Sequence, residues 1–500
     1  MHIRLPQALS VKEEISADEG ITLHIVKDMS ELPEKDQINM FLEASSEDLS
    51  ENRWLIISNT GTLLETLRAV AHHKEINEQE LENHLLSLLQ KKEPEYLNDF
   101  SAPFQVINLT QIDNVHIAMQ LFEKLIHEDN WEVCDTCDLR KTCPIHINVT
   151  ALQEFRPIAS ERIKWIYRHL YEYGNRLTMR QITAHLSYAL TAGLDYETLC
   201  SHAAMPIPPD ISDYLFHNRF FGFKGVAKDD EGRQLTALEQ IMPLELGSKP
   251  YPTLDRRLWT IETGLLPELP ASLENLFESG LRIEYGANSD SSRYRQQIRR
   301  MFYIFGKVSG DLQNFPTSFS GSQMLTESET WQKVPDKLSL LRKDDLMRKV
   351  LHVLQEQFTG FHLPENMNTS ELYITLNRKN EDLRQSVQIL LKRIPFSNFT
   401  LYLKPVYQTF KPQRYVLTLE ETFSKIKLHL ALPFLDFIMM RHTGEVGQPL
   451  DTAYSDRLER FKARLLQSYK SEYLELLELK NNGELETRRF VVNENTLEVV

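Results

Sequence analysis

Three cysteines and one histidine lie within thirteen residues, in the pattern Cys134-x2-Cys137-x5-Cys143-x2-His146. Thiolates and imidazole are ligands that suit tetrahedral Zn²⁺, and a closed set of four is typical of a structural site. We therefore expect residues 131–148 to form a metal-binding insert that holds zinc. No acid or nucleophile accompanies the four ligands in a pattern for zinc catalysis, which favours a stapled loop or a protein-contact surface.

Two alternatives stay open for this segment. Cys143 precedes Pro144, as in ferredoxin-type runs that hold an iron–sulfur cluster, and Cys200 would then be a candidate fourth ligand. The thiols could also be free or form a redox pair. We favour zinc because three of the four cysteines in the chain are so closely spaced.

Two apolar runs near the start of the sequence end in polar side chains. The run at residues 21–26 predicts a buried strand that leads into Asp28 and Glu31. P-loop ATPases use such a carboxylate to hold Mg²⁺, often with a nearby Glu that polarises water. A second predicted strand, residues 54–57, is followed by Asn59, whose amide could lie beside a γ-phosphate and the attacking water. An acidic loop after the first strand and a simple turn at Asn59 would explain the same residues.

Arg180 lies in the first turn of a predicted helix that begins at the N-cap Thr178, with Gln181 at the capping-box position. A cation in the first turn opposes the helix dipole, so its placement needs a reason. A phosphate reached from the lid of an ATPase is one reason, and an ordinary surface arginine is the alternative.

A basic and aromatic helix is predicted over residues 293–305, and it is the strongest candidate for DNA contact. Arginines three and four positions apart share one helix face and could follow a phosphate backbone. The alternative is salt bridging to the acidic N-terminal domain or to a partner subunit. The basic residues of this candidate surface are Arg293, Arg295, Arg299 and Arg300.

Strands that alternate with helices over residues 1–155 predict an α/β fold with a largely parallel sheet, including a third strand at residues 104–108. Residues 156–227 are predicted to form a helical lid. The looser stretch 228–252 separates it from residues 253–500, a mixed α+β region of one or two subdomains. The predicted elements of that region are strands at 372–377, 399–403 and 415–419, helices at 338–358 and 381–394, and a meander over 473–500.

Composition limits the function classes. The formal charge is −15, with 41% hydrophobic and 25% charged residues, which excludes extensive disorder and a collagen-like chain. Residues 1–160 hold 28 acids and 13 bases, so the acidity belongs to the first third and the remainder is neutral. The most apolar stretch, residues 428–440, is too short to span a membrane. Without a signal peptide or a disulfide pattern, we expect a soluble cytoplasmic protein.

Five N-terminal and central segments and the tail together resemble the DptF family of DNA phosphorothioation-dependent restriction proteins. They are LHIVKDMSELPEKDQINMFLE, RWLIISNTGTLL, CDTCDLRKTCPIHIN, YGNRLTMRQITAHLSYALTAGL, FHNRFFG and LELLELKNNGELETRRFVV. The resemblance covers most of the chain. It implies an ATPase subunit of a bacterial antiphage defence system, which works with partner subunits, in an oligomer, against DNA that lacks the host's backbone sulfur.

The order of the motifs is that of Walker B, sensor 1 and sensor 2 in AAA-type ATPases. The resemblance implies that Asp28 holds Mg²⁺ with ATP, that Asn59 positions water and that Arg180 senses the γ-phosphate. Arg156 or Arg162 is the corresponding candidate for a finger toward a neighbouring protomer.

Two departures from this pattern matter. No G-x-x-x-x-G-K-[ST] motif occurs in the 500 residues, and only about twenty residues precede the first predicted strand. We therefore expect an incomplete P-loop core that binds ATP weakly by itself. Glu31 stands three residues after Asp28 instead of beside it, which weakens its assignment as the base. A non-hydrolysing, zinc-stapled scaffold that docks partner proteins or DNA is the second hypothesis.

Overall fold

The structure is a computed structural model that describes most of the chain. The described residues are 10–16, 21–45, 52–90, 95–109, 112–207, 209–222, 234–260, 266–276, 291–335, 338–361, 370–376, 386–406, 414–444, 450–467, 473–480, 484–493 and 496–499. They form a mixed α+β protein with many helices and several small sheets. The chain divides into two compact units, Met1–Ile112 with Val406–Arg414, and Asp113–Pro405 with Tyr415–Val500.

This division differs from the predicted boundary near residue 155. The helix Asn114–Leu125 buries Val115, Ala118 and Phe122 in the same core as the later helices. Because those apolar contacts decide where the helix belongs, residues 113–155, including the cysteine segment, are part of the second unit.

The first unit holds a three-stranded sheet and a separate strand pair. The central strand β2 is antiparallel to β1 and parallel to β3, and β4 pairs with β5 in an antiparallel hairpin-like sheet of its own. The strands are β1 (Lys12–Ser16), β2 (Thr22–Val26), β3 (Asn52–Ile56), β4 (Glu95–Leu97) and β5 (Phe104–Val106).

The predicted strands at residues 21–26 and 54–57 are thus confirmed, whereas the largely parallel sheet is not seen among the described strands. The strand β1, which alternates charged and less polar residues and was not predicted, adds an antiparallel edge. The third predicted strand forms β5 but pairs with β4 instead of joining β2 and β3.

Three helices pack on this sheet and close the core of the first unit. They are α1 (Glu34–Ala44), α2 (Thr60–His73) and α3 (Glu78–Gln90). Buried residues at helical spacing, such as Leu67, Val70 and Ala71 of α2, meet Val26 of β2 and the half-buried Trp54 of β3.

The second unit contains fifteen helices within its described residues. They are α4 (Asn114–Leu125), α5 (Pro144–Glu154), α6 (Arg156–Glu172), α7 (Met179–Thr191), α8 (Tyr196–Ala203), α9 (Phe216–Arg219), α10 (Thr236–Ile241), α11 (Pro252–Thr260), α12 (Ala271–Leu276), α13 (Ser291–Phe305), α14 (Phe315–Ser320), α15 (Leu325–Lys333), α16 (Leu340–Thr359), α17 (Leu432–His442) and α18 (Thr452–Leu466). None of the helices described in either unit is long and apolar enough to cross a membrane.

Local sequence explains the start and end of α7. The Thr178 side chain accepts from the Gln181 backbone N–H, and the Gln181 side chain accepts from the Thr178 N–H, which confirms the predicted capping box. Ala192, in the left-handed conformation, and Gly193 end the helix.

One hydrophobic core extends from Val115 to Phe319 and joins the predicted helical lid to part of the region beyond residue 253. A second core begins at Met324 and ends at Leu465. The change of core therefore lies between α14 and α15, and the looser stretch 228–252 does not separate two cores.

The C-terminal part of the second unit contains two antiparallel sheets. Their orders are β10-β9-β8 and β13-β12-β11-β7-β6, so the predicted tail meander supplies three of the five strands of a larger sheet. The strands are β6 (Glu371–Thr375), β7 (Val387–Pro395), β8 (Phe399–Val406), β9 (Arg414–Glu421), β10 (Ile426–Leu430), β11 (Leu474–Leu479), β12 (Leu485–Asn493) and β13 (Thr496–Val499).

The predicted helix over residues 381–394 is wrong where the structure describes it, because residues 387–395 form the strand β7. Gln388, Leu390 and Ile394 are buried and alternate with more exposed neighbours, the period of a strand. Pairing with β6 and β11 on both sides outweighs the weak helical pattern. Residues 381–385 lie outside the described residues.

A buried ion cluster connects three helices of the second unit. The Arg168 guanidinium of α6 lies 2.6 Å from the Asp113 carboxylate at the N-cap of α4 and 3.3 Å from the Glu329 carboxylate of α15. Lys164 reaches the same Glu329 at 2.6 Å. Burial by itself would lower the pKa of Arg168, but the two carboxylates outweigh it and the pKa is raised.

We expect Arg168→Met to lower the free energy of unfolding by about 3–5 kcal/mol, because Asp113 and Glu329 would remain buried without their cation. Urea denaturation of the purified chain measures this. Arg348→Met is the matched control, since that side chain is 75% exposed. Equal losses in the two variants would contradict the role assigned to the cluster.

Among the described residues of the second unit, His169, His185 and His217 are buried, and they are neutral at pH 7. Burial lowers the pKa of His169 and of His185 to about 4. Burial, and then the charge of Arg300, lowers the pKa of His217 to about 3. Neither ring nitrogen of His217 has a hydrogen-bond partner among the described residues.

The unfolded chain binds these protons near pH 6.5 and the folded chain only well below that, so stability should fall as the pH drops from 6.5 toward 4. Between pH 6.5 and pH 4, we expect the free energy of unfolding of His217→Phe to fall by about 3 kcal/mol less than that of the wild type. Urea denaturation at several pH values measures the slope, with the exposed His72→Gln as control. An unchanged slope in His217→Phe would refute this assignment.

Candidate functional site

The carboxyl ends of β2 and β3 bring two predicted site residues to one edge of the sheet. Parallel pairing continues past the strands, since Ile57 N–H donates to Val26 O and Met29 N–H donates to Ile57 O, both at 2.9 Å. Asp28 and Asn59 therefore follow neighbouring chains at the same edge, where open α/β sheets bind ligands.

Asp28 is held by the turn that follows it. Its Oδ1 accepts hydrogen bonds from the Ser30 backbone N–H at 3.0 Å and from the Ser30 hydroxyl at 2.6 Å, so it caps the 3-10 helix Met29–Glu31. Glu31 ends that turn as an exposed side chain. The carboxylate of Asp28 is thus fixed in direction, as a Mg²⁺ ligand would need.

Asn59 is the N-cap of α2. Its Oδ1 accepts a hydrogen bond from the Thr62 backbone N–H at 2.8 Å. The amide nitrogen makes no hydrogen bond within the described residues and is available as a donor. The structure therefore gives Asn59 a structural role and leaves its donor group for a ligand.

The predicted arginines of the ATPase reading lie in the second unit. Arg180 is exposed in the first turn of α7, and Arg156 is exposed at the start of α6, 3.6 Å from Glu123. Arg162 is buried, with its guanidinium over the rings of Trp165 and Tyr303, and burial lowers its pKa. Because Arg162 is enclosed in the core, Arg156 is the one of the two that can extend to another subunit.

The cysteine segment consists of short turns that lead into α5. Cys134 lies in the 3-10 helix Glu132–Thr136, Cys137 follows it, and Cys137 N–H donates to Cys134 O at 3.3 Å. Cys143 precedes Pro144 at the start of α5, and His146 lies in the first turn of that helix. All four side chains are thus on adjacent turns.

The Arg140 guanidinium lies between His146 and Asp135 in this segment. The Arg140 Nε donates to His146 Nε2 at 3.2 Å, and its Nη2 lies 3.2 Å from Asp135. Burial, and then Arg140, lowers the pKa of His146. Zinc coordination through Nε2 would require Arg140 to move, whereas the Nδ1 atom is not engaged by it.

The thiols are near one another but do not form a finished site. Burial raises the pKa of Cys134 first, and the charges of Cys143 and Cys137 raise it further. No three His, Cys, Asp or Glu side chains in the described part of the chain converge as metal ligands. The donor set therefore fits zinc in its chemistry, and its geometry requires a rearrangement of the turns.

Cys200 of α8 lies on the same side of the unit as Cys137. A hydrogen bond with Cys200, and then the charges of Cys200 and Cys137, raises the pKa of the exposed Tyr196 hydroxyl. The Tyr196 hydroxyl is therefore close enough to both thiols for each to affect its pKa. Cys200 thus stays the candidate fourth ligand of the iron–sulfur alternative.

The predicted DNA-binding face of α13 is wrong for two of its four arginines, because Arg299 and Arg300 are buried. Arg299 is 4% exposed and binds both oxygens of Asp255 at 2.8 and 2.9 Å, and Arg300 is 5% exposed and donates to the carbonyls of Leu246 and Gly222. These two guanidinium groups satisfy internal acceptors and cannot contact a phosphate backbone. Arg295 is half-buried, and the side chain of Arg293 lies outside the described residues.

A buried acid was missed at sequence level. Asp436 of α17 accepts hydrogen bonds from the Ser322 and Tyr173 hydroxyls at 2.6 and 2.9 Å and from the Met324 N–H at 2.9 Å. Burial raises its pKa, although these hydrogen bonds oppose the shift. The available signal was one carboxylate inside the most apolar run of the chain.

Elemental analysis of the purified chain is expected to give about one zinc per chain, because three thiols and an imidazole complete a tetrahedral set. Cys134→Ser and His146→Ala should each lower the zinc content, whereas Cys200→Ser should leave it unchanged. Folded protein without metal would contradict the site. If the protein instead contains iron and acid-labile sulfide, and Cys200→Ser loses both, the site holds an iron–sulfur cluster and not zinc.

Comparison of the chain with protein-family models, with curated proteins and with solved structures gave no match.

Proposed function

We propose that this chain is an ATPase subunit of a bacterial DNA restriction complex, which acts in the cytoplasm with partner subunits and responds to phosphorothioate modification of DNA. The reaction and the complex come from the family resemblance. The observation that supports the proposal is the parallel pair β2–β3, with Asp28 and Asn59 at its carboxyl edge.

Each residue has a stated role in this proposal. Asp28 binds the Mg²⁺ that accompanies ATP, and the amide nitrogen of Asn59 orients the attacking water beside the γ-phosphate. Glu31 is the candidate base that polarises this water. Arg180 of an assembled oligomer contacts the γ-phosphate, and Arg156 serves as the finger toward a neighbouring protomer.

These 500 residues contain no G-x-x-x-x-G-K-[ST] sequence, so the proposal needs a phosphate-binding loop that another polypeptide segment supplies. Without the backbone N–H groups and the lysine of such a loop, little holds the β- and γ-phosphates. We therefore propose that the chain alone hydrolyses ATP weakly or not at all, and that a second polypeptide or a longer form of the chain completes the site.

ATP hydrolysis by the reconstituted complex tests these roles. We expect Asp28→Asn to lower kcat by at least about a hundredfold, because the amide keeps the cap to Ser30 but loses the charge that holds Mg²⁺. Asn59→Asp keeps the cap to Thr62 and removes the donor, and it should also lower kcat. Asp36→Asn, an exposed acid on α1, is the matched control.

Two results would contradict the ATPase proposal. One is full hydrolysis in both Asp28→Asn and Asn59→Asp, which would place the reaction elsewhere in the complex. The other is a complex assembled with every partner subunit, and with a phosphate loop present, that does not hydrolyse ATP.

The second candidate is a non-hydrolysing scaffold that is stapled by zinc and docks partner proteins or DNA. It is favoured by the caps at Asp28 and Asn59, which explain the positions of both side chains without a ligand, and by Val133, which is 75% exposed beside Cys134. Loss of partner binding in Cys134→Ser, together with no hydrolysis in the complex, would favour this candidate.

A further inference from the structure

A cavity of about 820 Å³ opens on the second unit, and none of the residues proposed for ATP hydrolysis lines it. Its walls come from the last turn of α6, the loop before α11, the helix α14 and the helix α17. Cavities of roughly 300–1,000 Å³ are the usual size for small ligands. No residue of this cavity was singled out for binding by the sequence patterns.

Aromatic rings form one wall of the cavity. The rings of His169 and Tyr173 are stacked, with centroids 4.3 Å apart and planes 17° apart, and Tyr173 is 40% exposed. Tyr251 and Phe315 meet edge to face at 5.2 Å in the same lining. Tyr173 is therefore a partly exposed aromatic residue in the cavity lining, of the kind that stacks on a flat ring.

The stacking wall is held in place by buried hydrogen bonds. The Tyr173 hydroxyl donates to Asp436 Oδ2 at 2.9 Å, and the same carboxylate is fixed by Ser322 and by the Met324 N–H. A ring that is already fixed loses little rotamer freedom when a ligand binds, which favours affinity. The wall is thus pre-organised.

Polar side chains surround the opening and do not bind one another. Lys249, Asn314, Ser318 and Gln323 are exposed in the lining, and their side chains make no hydrogen bond within the described residues. Deeper in the wall, Nδ1 of the buried His169 also has no hydrogen-bond partner in the part of the chain that the structure describes. A buried polar atom without a partner is costly, so a ligand that supplies one stabilises the site.

We propose that this cavity binds a nucleoside monophosphate. The base stacks on Tyr173, the sugar hydroxyls meet Asn314 and Ser318, and the phosphate lies against Lys249. The aromatic wall, the uncharged hydrogen-bonding side chains and the single lysine among the lining residues match the three parts of such a ligand. The lining also contains two acids, the exposed Glu245 and the buried Asp436, and Asp436 is already engaged by Tyr173, Ser322 and the Met324 N–H. The proposal does not depend on ATP hydrolysis, because Asp28 and Asn59 belong to the other unit.

Calorimetric titration of the full chain with the four common nucleoside 5′-monophosphates, in ribose and deoxyribose forms, tests the site. At least one monophosphate should bind saturably. The corresponding nucleoside, which lacks the contact with Lys249, should bind about tenfold more weakly, a difference of about 1.4 kcal/mol in binding free energy. Lys249→Ala should reduce the nucleotide to the affinity of the nucleoside and leave the nucleoside unchanged. Lys404→Ala, exposed and outside the cavity, is the control.

Tyr173→Leu tests the stacking wall and should weaken nucleotide and nucleoside by the same factor. Tyr173→Phe keeps the ring and loses only the bond to Asp436, so it should retain most of the affinity if that variant unfolds at the wild-type temperature. No saturable binding of any monophosphate, or binding that Lys249→Ala and Tyr173→Leu both leave unchanged, would overturn the proposal. Asp28→Asn should bind as the wild type does, which separates this outcome from failure of the ATPase proposal.

Discussion

The buried charge of Arg168 is the constraint on which the second unit depends. A guanidinium that is taken out of water must be neutralised where it lies, and here Asp113 and Glu329 neutralise it. Asp113 begins α4, in the helical core, while Glu329 lies on α15, in the core that follows. Such a cluster adds little net stability over apolar packing, but its loss is costly, so it favours one arrangement of the two cores over others.

The same helix continues this polar junction. Tyr173, at the C-terminal end of α6, binds Asp436 of α17, and Asp436 in turn holds the Ser322 hydroxyl between the two cores. Each group needs its partners because a buried polar atom left unpaired is expensive. Tyr173 and Asp436 also line the cavity, together with Leu246, Phe315 and Phe319 of the first core, so the cavity lies where this junction meets that core.

Elements whose start or period depends on neighbouring residues were predicted from the sequence. The capping box at Thr178 and the helix from Leu340 depend on neighbours within a few residues, and both appear in the structure. The strands before Asp28 and Asn59 were predicted from their own apolar runs, although their pairing joins residues far apart in the sequence. The strand β7 was predicted as a helix because its pairing with β6 and β11 involves residues far away in sequence. Arg299 and Arg300 failed as a DNA surface for the same reason: the acceptors that bury them, such as Asp255 and the Leu246 carbonyl, lie more than forty residues earlier.

The edge formed by β2 and β3 shows why the candidate site is harder to read than the fold. Asp28 and Asn59 each use one oxygen to cap the turn or helix that follows, so their positions are explained without a ligand. A carboxylate has about four acceptor sites, and a capping amide keeps its nitrogen, so neither cap exhausts its side chain. The cap in fact fixes the direction in which the remaining group points, which is what a metal ligand or a water-orienting donor requires. A capping role and a catalytic role are thus compatible for Asp28 and Asn59. Whether the catalytic role is realised depends on whether a phosphate-binding loop faces this edge of the sheet.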